Sequence, residues 1–336
     1  MKKIDTLKVK TLFKIVRHTL ALSAVVIVVG LLLIISPTPH MENPKDVFGF
    51  SDLKRESVPQ ILPEIRRYSA SDGEKLAFRL FESTSNRVLI FIHGSSYHGA
   101  GYIDLASAIS SAGLAKVVLP NLRGHYLSGR RRGDVDYIGQ YDNDIAELIK
   151  HLRQTGVNGP IVLGGHSSGA GLVVRFAGGD HAGLISNYLA LSPILPTSGS
   201  LREGSSGGWA LLYARRMAGL IILNIFGIHG LDALPIIEFN KPSEFWDGTE
   251  TLSYSYRLNM SYHPGVRFSK NLQAMEGKAL VLIGERDEAI NPQSLMKIIK
   301  TEAPGLKMSI IPGLNHFEIF QNPLALGVIK DWLMNL

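Results

Sequence analysis

Hydrophobic and polar positions divide the chain into one long uncharged run near the N-terminus and a region of short alternating elements. Val88–Ile92 is entirely apolar, which predicts a strand buried on both faces. The apolar side of residues 137–154 predicts a helix. Further strands are predicted at 116–119, 161–163, 188–191, 279–283 and 308–311, and further helices at 101–112, 170–177 and 323–336. This alternation predicts an α/β fold, a mostly parallel sheet with helices on both faces.

Two features interrupt the alternation. The pair Asp72-Gly73 lies between two half-apolar stretches and predicts a hairpin before the first buried strand. Between Pro196 and about Lys270 the strand–helix pattern stops, and the chain becomes rich in glycine, aromatic and aliphatic residues. We interpret this stretch as an insertion, predicted to be a helical cap over the sheet.

The long uncharged run covers residues 19–36 and predicts a transmembrane helix. Eighteen residues at about 1.5 Å each reach roughly 27 Å, close to the thickness of a hydrocarbon core. A cleaved signal peptide is the alternative. The apolar run exceeds the usual hydrophobic region of a signal peptide, and Pro37 and Pro39 occupy the place where a cleavage site should lie. We therefore expect an uncleaved anchor.

Charge assigns an orientation to this anchor and excludes a nucleic-acid partner. The net charge is +6, but residues 1–17 hold six basic side chains and one acidic one, which leaves +1 for the other 319 residues. The basicity thus belongs to a tail and not to a nucleic-acid-binding face. The positive-inside rule leaves the tail in the cytoplasm and the rest of the chain on the extracytoplasmic side.

Composition narrows the chemistry. Hydrophobic residues make up 45% of the 336 residues and charged residues 19%, so the chain can bury a sizeable core. There is no cysteine, which excludes a disulfide scaffold, a thiolate zinc site and a cysteine nucleophile. Phosphate-binding glycine motifs are absent from the sequence, so no nucleotide cofactor is predicted.

The segment Gly165-His166-Ser167-Ser168-Gly169 matches the G-x-S-x-G motif between a predicted strand and a predicted helix. A serine on so sharp a turn projects its hydroxyl above the sheet, and small neighbours are needed for the turn to close. A motif centred on Ser168 would require glycine where His166 and Ala170 stand. Ser167 is therefore the predicted nucleophile.

A serine needs a base to take its proton and a carboxylate to orient that base. On such a sheet the acid and then the histidine should each follow a late strand. Asp287 follows strand 279–283 and His316 follows strand 308–311, so they are the predicted acid and base. Glu285 and Glu288 compete with Asp287 for the role of the acid.

Two backbone N–H groups are predicted to form the oxyanion hole that a tetrahedral intermediate requires. One belongs to Ser168 and the other to Ser95, in the loop after Val88–Ile92. His93 and His98 in this loop raise the alternative of a metal site. No carboxylate or further histidine accompanies them in the sequence, so we predict no metal.

Together these motifs resemble the α/β-hydrolase superfamily, and more narrowly its monoacylglycerol lipase, lysophospholipase and serine aminopeptidase-like branch. The resemblance covers residues 65–196 and 271–336. It includes the segment 121–128, which is similar to the branch's D-x-R-G-H-G-x-S pattern but has Asn121 for the aspartate and Tyr126 for the second glycine. The resemblance implies that Ser167, Asp287 and His316 are nucleophile, acid and base, and that the inserted stretch is a cap over the pocket.

The sequence thus predicts a membrane-anchored serine hydrolase of carboxylic esters, with monoacylglycerols or lysophospholipids as candidate lipid substrates. A peptidase or amidase with the same triad, and a non-catalytic module that binds a lipid or a protein, are the alternatives. The cap residues 209–213 and 220–223, with Ile225 and Phe226, could line an acyl pocket, dip into lipid beside the anchor, or simply pack the cap. The predicted boundaries are a basic cytoplasmic tail at 1–18, the anchor at 19–36, a linker at 37–64, the core at 65–196 and 271–336, and the cap at 197–270.

Overall fold

An eight-stranded sheet forms the centre of the fold. The structure is a computed structural model, and it describes residues 2–39, 46–50, 62–197, 199–203, 207–265 and 268–336. The strands of this sheet are β1 (Arg66–Ser69), β2 (Lys75–Phe81), β3 (Val88–Ile92), β4 (Lys116–Pro120), β5 (Ile161–His166), β6 (Asn187–Leu191), β10 (Ala279–Gly284) and β11 (Lys307–Ile311). They are arranged in the order β1-β2-β4-β3-β5-β6-β10-β11. Both pairings of β2 are antiparallel, and the pairings from β4 to β11 are parallel.

Helices cover both faces of the sheet. They are α2 (Ile103–Ser110), α3 (Gln140–Gln154), α4 (Ser168–Ala177), α7 (Phe268–Gln273), α8 (Pro292–Glu302) and α9 (Pro323–Met334). Strand β3 shows why the sheet is apolar on both sides, since all five of its residues are buried. Ile90 packs in the core layer that contains α3 and α4, whereas Phe91 packs in the opposite layer with α2 and α9. The predicted fold class is confirmed.

The hairpin predicted at Asp72-Gly73 joins β1 to β2. The Gly73 N–H donates to the carbonyl of Ala70 at 2.9 Å, and Gly73 has a φ of 86°. Glycine adopts this left-handed conformation at little steric cost, which explains why it stands at this turn.

The cap differs from the expected all-helical insertion. It contains helices α5 (Ala214–Ile225) and α6 (Tyr256–Tyr262), and also an antiparallel sheet of β7 (Ala210–Leu212), β8 (Pro235–Phe239) and β9 (Ser253–Ser255). These strands have only three to five residues each. Strands so short carry no clear alternation of apolar and polar positions, so the sequence pattern does not reveal them.

The N-terminal helix α1 (Lys2–Ile34) includes the predicted basic tail as well as most of the predicted anchor. It ends two residues earlier than the predicted anchor, where the Ser36 hydroxyl donates to the Leu33 carbonyl at 2.7 Å just before Pro37. Proline disfavours helical backbone in the residue before it, which accounts for this end. Within the described residues, Val9–Ile34 is the one helix long and apolar enough to cross a membrane.

Helix α1 crosses the cap helix α5 at a pair of glycines. A Cβ atom added to Gly219 would lie 2.4 Å from the Gly30 carbonyl oxygen, so the two backbones approach closely. Ile34 packs there with Leu220 and Leu223 of α5 and is 5% exposed. Most other apolar side chains of α1 are exposed, among them Leu20 at 65%. The end of α1 is therefore part of the folded domain, while the rest of the helix projects from it.

Candidate active site

Ser167 occupies the sharp turn between β5 and α4. Its backbone angles are φ 57° and ψ −122°, which are strained for a residue with a side chain. The glycines around it allow the turn to close. A Cβ at Gly165 would lie 2.6 Å from backbone atoms of Gly169, and a Cβ at Gly169 would lie 2.4 Å from the His93 carbonyl oxygen. The predicted steric reason for the motif is thus visible in the structure.

The two adjacent serines have different positions. Ser167 lines a cavity with aromatic walls, whereas Ser168 is the first residue of α4. The first N–H groups of a helix have no partner within the helix, so the Ser168 N–H is one that a ligand can use. Among the described residues, the structure records no hydrogen bond to the Ser167 hydroxyl.

The His316 ring is bound to Asp287. Nδ1 of His316 lies 2.8 Å from Oδ2 of Asp287, and both side chains are buried. The other carboxylate oxygen of Asp287 accepts the N–H groups of Ala289 at 3.0 Å and Ile290 at 2.8 Å. Burial alone would raise the pKa of Asp287, but the attraction of His316 and these hydrogen bonds outweigh it and lower the pKa. Asp287 is therefore a charged carboxylate at neutral pH.

The two competing carboxylates lie beside this pair and bind backbone instead of the ring. Glu288 accepts the N–H of His316 at 2.9 Å, and Glu285 accepts the N–H of Gly313 at 2.9 Å. The structure therefore brings Asp287, and neither glutamate, to the imidazole of His316.

Two tyrosines, one from the core and one from the cap, bind the backbone of the loop after β3. Tyr102 accepts the N–H of Gly94 at 3.0 Å, and Tyr254 of β9 accepts the N–H of Ser96 at 2.7 Å. Ser96 has a φ of 71°. Ser95 lies between them and lines the cavity, and its hydroxyl accepts the indole N–H of Trp209 at 3.3 Å. The cap thus contacts the very loop that carries the predicted oxyanion donor.

A buried network connects this loop to the nucleophile turn and to the histidine loop. The Tyr102 hydroxyl lies 2.9 Å from Nδ1 of His166, and Nε2 of His166 lies 2.9 Å from the carbonyl oxygen of His316. Since a carbonyl only accepts, Nε2 carries the proton, and the Tyr102 hydroxyl donates to Nδ1. Burial lowers the pKa of His166 well below its usual value, so the ring is neutral.

The sequence analysis assigns no role to Tyr102 or His166. His166 is the variable residue of the G-x-S-x-G motif, and its position there is the signal that points to it. Tyr102 lies in a short helical turn that carries no motif, and only the folded structure places it against the other two loops.

His93 and His98 also have partners that define their roles. Nδ1 of His93 lies 2.8 Å from the Gly94 carbonyl, and Nε2 accepts the N–H of Leu122 at 3.1 Å. Nε2 of His98 lies 2.9 Å from the Thr249 hydroxyl. Burial lowers the pKa of His93 to about 3 and that of His98 to about 4. Both nitrogens of His93 are therefore occupied within the protein, and the ring stabilises the loop.

The segment 121–128 also has a structural role. Arg123 pairs with Asp144 at 2.7 Å and with Asp72 at 2.8 Å, which ties the segment to α3 and to the β1–β2 hairpin. Nε2 of His125 lies 2.7 Å from the Tyr254 hydroxyl. The segment thus supports the tyrosine that holds Ser96.

Ser167 and His316 open into a cavity of about 300 Å³. Its walls are mainly aromatic and come from four parts of the chain. The lining aromatic residues are Phe48, Phe50, Tyr97, Tyr102, Trp209, Phe245, Phe317 and Phe320. Phe48 and Phe50 belong to the predicted linker, and nothing in the sequence pattern indicates that they reach this cavity.

Comparisons with known proteins identify the family of this chain. A family model described as the alpha/beta hydrolase family matches residues 89–326. This match covers more than half of the chain, so the protein belongs to the alpha/beta hydrolase family.

Within that family, the chain is similar to monoacylglycerol lipases. It is 22% identical to a monoacylglycerol lipase of Mycolicibacterium smegmatis over 74% of this chain and 88% of the relative. It is 31% identical to a monoglyceride lipase homolog of monkeypox virus over 33% of this chain, a match that spans 40% of the relative's length. A soluble variant of Saccharomyces cerevisiae monoglyceride lipase shares the fold with a TM-score of 0.64 at 18% identity, over 83% of this chain and 96% of the other. The predicted resemblance is confirmed.

Proposed function

We propose that the protein is a membrane-anchored serine hydrolase that cleaves carboxylic esters, with lipid esters of the monoacylglycerol or lysophospholipid type as its substrates. The observation that carries this proposal is the pairing of a strained serine, Ser167, with an Asp287-bound histidine, His316, at one aromatic cavity. The apolar walls suit an acyl chain, and several relatives are named for lipid ester hydrolysis.

In the proposed mechanism, the Ser167 hydroxyl attacks the acyl carbonyl while Nε2 of His316 takes its proton. The Ser95 and Ser168 N–H groups stabilise the oxyanion. His316 then gives the proton to the leaving alcohol, which leaves an acyl group on Ser167. Water, deprotonated by His316, attacks this acyl-enzyme and releases the carboxylic acid. Asp287 keeps the Nδ1 proton in place and stabilises the imidazolium formed in each half-reaction.

A substrate panel tests this activity. Purified protein in detergent should hydrolyse monoacylglycerols and p-nitrophenyl esters far faster than the matched anilides, and Ser167→Ala should abolish the ester reaction. Ser168→Ala is a folding control for the adjacent position, because its N–H is retained. Faster cleavage of the anilides would favour the amidase alternative. Absence of hydrolysis in a well-folded wild type would favour a binding module.

Helix α1 is the proposed anchor, with the catalytic domain on the extracytoplasmic side. Two contacts support an uncleaved helix: Ile34 is buried against α5, and Gly30 meets Gly219. Loss of the helix would expose this cluster to water at a cost of about 25 cal/mol per Å² of apolar surface. With α1 inserted in the membrane, the exposed apolar side chains of Ile225 and Phe226, at the end of α5, would lie in lipid beside the anchor.

Two measurements test the anchor. The intact mass of the membrane-extracted protein should include residues 1–36, and a mass starting after Ser36 would indicate a cleaved signal. Protease added outside intact cells, or to spheroplasts for a bacterial host, should digest the domain and spare the tail. Protection of the whole chain would reverse the proposed orientation.

A further inference from the structure

A short aromatic turn between the N-terminal helix and the catalytic core lies inside the cavity. This aromatic turn comprises residues 46–50. The Phe50 N–H donates to Oδ1 of Asp46 at 2.7 Å, and Gly49 has a φ of 61°. Glycine tolerates this φ, so the chain can reverse within five residues. Phe48 is 4% exposed, so its ring packs as fully as a core residue.

Phe48 lies face to face with the proposed catalytic base. The ring centroids of Phe48 and His316 are 4.9 Å apart, and the ring planes differ by only 12°. The hydrogen bond to Asp287 fixes one atom of the imidazole but does not by itself fix the plane of the ring. Phe48 is the stacked partner that restrains this plane, and the tilted rings of His166 at 4.5 Å and Phe317 at 5.7 Å pack around the same imidazole. A ring stacked on the face does not cover the edge of the imidazole, and His316 lines the cavity together with Ser167.

Phe50 links the aromatic turn to both halves of the cavity. Its ring centroid lies 5.5 Å from Phe317 of the core, 5.8 Å from Trp209 of the cap and 5.9 Å from Phe245 of the cap. These distances are typical of favourable aromatic pairs. The turn thus occupies the gap between core and cap, where it borders the cavity.

We propose that the aromatic turn forms a functional part of the wall of the substrate cavity. In it, Phe48 is a positioning residue for His316, and Phe50 limits the length of the acyl chains that fit. This inference rests on the proposed function. It assigns a role in catalysis and specificity to the segment that joins the membrane helix to the hydrolase core. The turn is part of the proposed active site because the Phe48 ring stacks on the face of His316 and does not cover the edge that carries Nε2.

Substitutions of Phe48 in the full-length protein test the positioning role. Phe48→Ala should lower kcat on a short-chain ester by about 10- to 100-fold with a smaller change in KM, because a catalytic group displaced by about 1 Å loses that much rate. Phe48→Leu fills most of the space without a flat face and should keep most of this defect. Phe48→Tyr keeps the flat face and should recover most of the lost kcat.

Phe50→Ala tests the specificity role. Removal of this ring lengthens the cavity, so the ratio of kcat/KM for a C16 ester to that for a C4 ester should rise by about 10-fold, as expected for a few added methylene contacts. Phe268→Ala is the matched control, because Phe268 is a partly buried phenylalanine that does not line the cavity. It should change neither kcat nor the chain-length ratio.

The outcomes separate this proposal from the proposed function. The wild type could hydrolyse esters while the Phe48 and Phe50 variants show unchanged kcat, KM and chain-length ratio. That result would overturn the proposed role of the aromatic turn and leave the proposed hydrolase activity intact. A higher kcat in Phe48→Ala would also overturn the positioning role, because it would mean that the turn blocks the cavity and inhibits the reaction. A well-folded wild type without ester hydrolysis would overturn both proposals.

Discussion

The carboxyl edge of the sheet and the cavity wall opposite it are built in different ways. At the edge, short loops leave β3, β5, β10 and β11 and are joined to one another by directional hydrogen bonds between buried polar groups. The wall consists of aromatic rings from the aromatic turn, the cap and the C-terminal region, which pack in stacked, tilted and edge-to-face pairs. Because hydrogen bonds depend on distance and angle, the edge fixes the positions of its groups, whereas the packed rings of the wall set the shape of the cavity.

This division separates chemistry from selectivity. A change at the edge removes a specific proton or charge and should affect every substrate alike. A change in the wall alters the volume and shape of the cavity and should affect substrates according to their acyl chains. Phe48 is one residue at which the two regions meet, because it belongs to the wall and stacks on His316 of the edge.

The largest effect is expected at the edge. Asp287→Asn should lower kcat by about ten-thousand-fold, because an amide favours the wrong tautomer of His316 and cannot stabilise the imidazolium. Glu288→Gln is the matched control, since Glu288 contacts the His316 backbone and not its ring. Steady-state kinetics of both variants checks the assignment. A larger loss in Glu288→Gln would transfer the role of the acid to Glu288.

A smaller effect is expected where the network joins the three loops. Tyr102→Phe leaves the Gly94 N–H and Nδ1 of His166 without their shared partner, at about 1–3 kcal/mol each. We expect kcat to fall by about 10- to 100-fold with KM little changed. Tyr188→Phe, on β6 and away from the cavity, should lower the free energy of unfolding only. Equal kcat in the two variants would reduce Tyr102 to a structural residue.

A third expected effect is a pH dependence of the free energy of unfolding, which histidines with lowered pKa values confer and which the aromatic rings of the wall do not. Burial lowers the pKa of His93 to about 3, lowers that of His263 to about 4, and lowers those of His125 and His166 as well, so all four are neutral in the folded protein. Phenylalanine and tryptophan rings do not titrate. The unfolded chain binds protons at these histidines below about pH 6.5.

The free energy of unfolding should therefore fall as the pH drops from about 6.5 toward 4, by up to about 1.4 kcal/mol per pH unit for each histidine. Denaturant unfolding in detergent between pH 7 and 5 measures this slope. His263→Gln should reduce this slope by up to about 1.4 kcal/mol per pH unit, the contribution of one histidine. An unaltered slope in His263→Gln would contradict a neutral His263 ring in the folded protein.

The same contrast explains what the sequence predicts and what it misses. Ser167, Asp287 and His316 each follow a strand at a sharp turn, and the glycines required by the Ser167 turn are adjacent in sequence. Local sequence therefore indicates these positions, although their catalytic roles are still proposals. The sheet and its flanking helices are predicted for the same reason, because a run such as Val88–Ile92 encodes its own burial.

The wall and the cap are not predictable in this way. Phe48 reaches His316 and Gly30 meets Gly219 only after segments far apart in the chain have packed together. An isolated phenylalanine in a linker, or one glycine in an apolar helix, has no local pattern that reveals its partner. The small cap sheet is missed because its strands are too short for alternation to appear.

Covalent labelling with a fluorophosphonate probe tests directly whether Ser167 is an activated nucleophile. An activated serine attacks the phosphorus and stays bonded to it, so the mass of one peptide increases. We expect labelling of the wild type on the peptide that contains Ser167, retained in Ser168→Ala and lost in Ser167→Ala. No labelling of well-folded wild type, or labelling that persists in Ser167→Ala, would contradict the account.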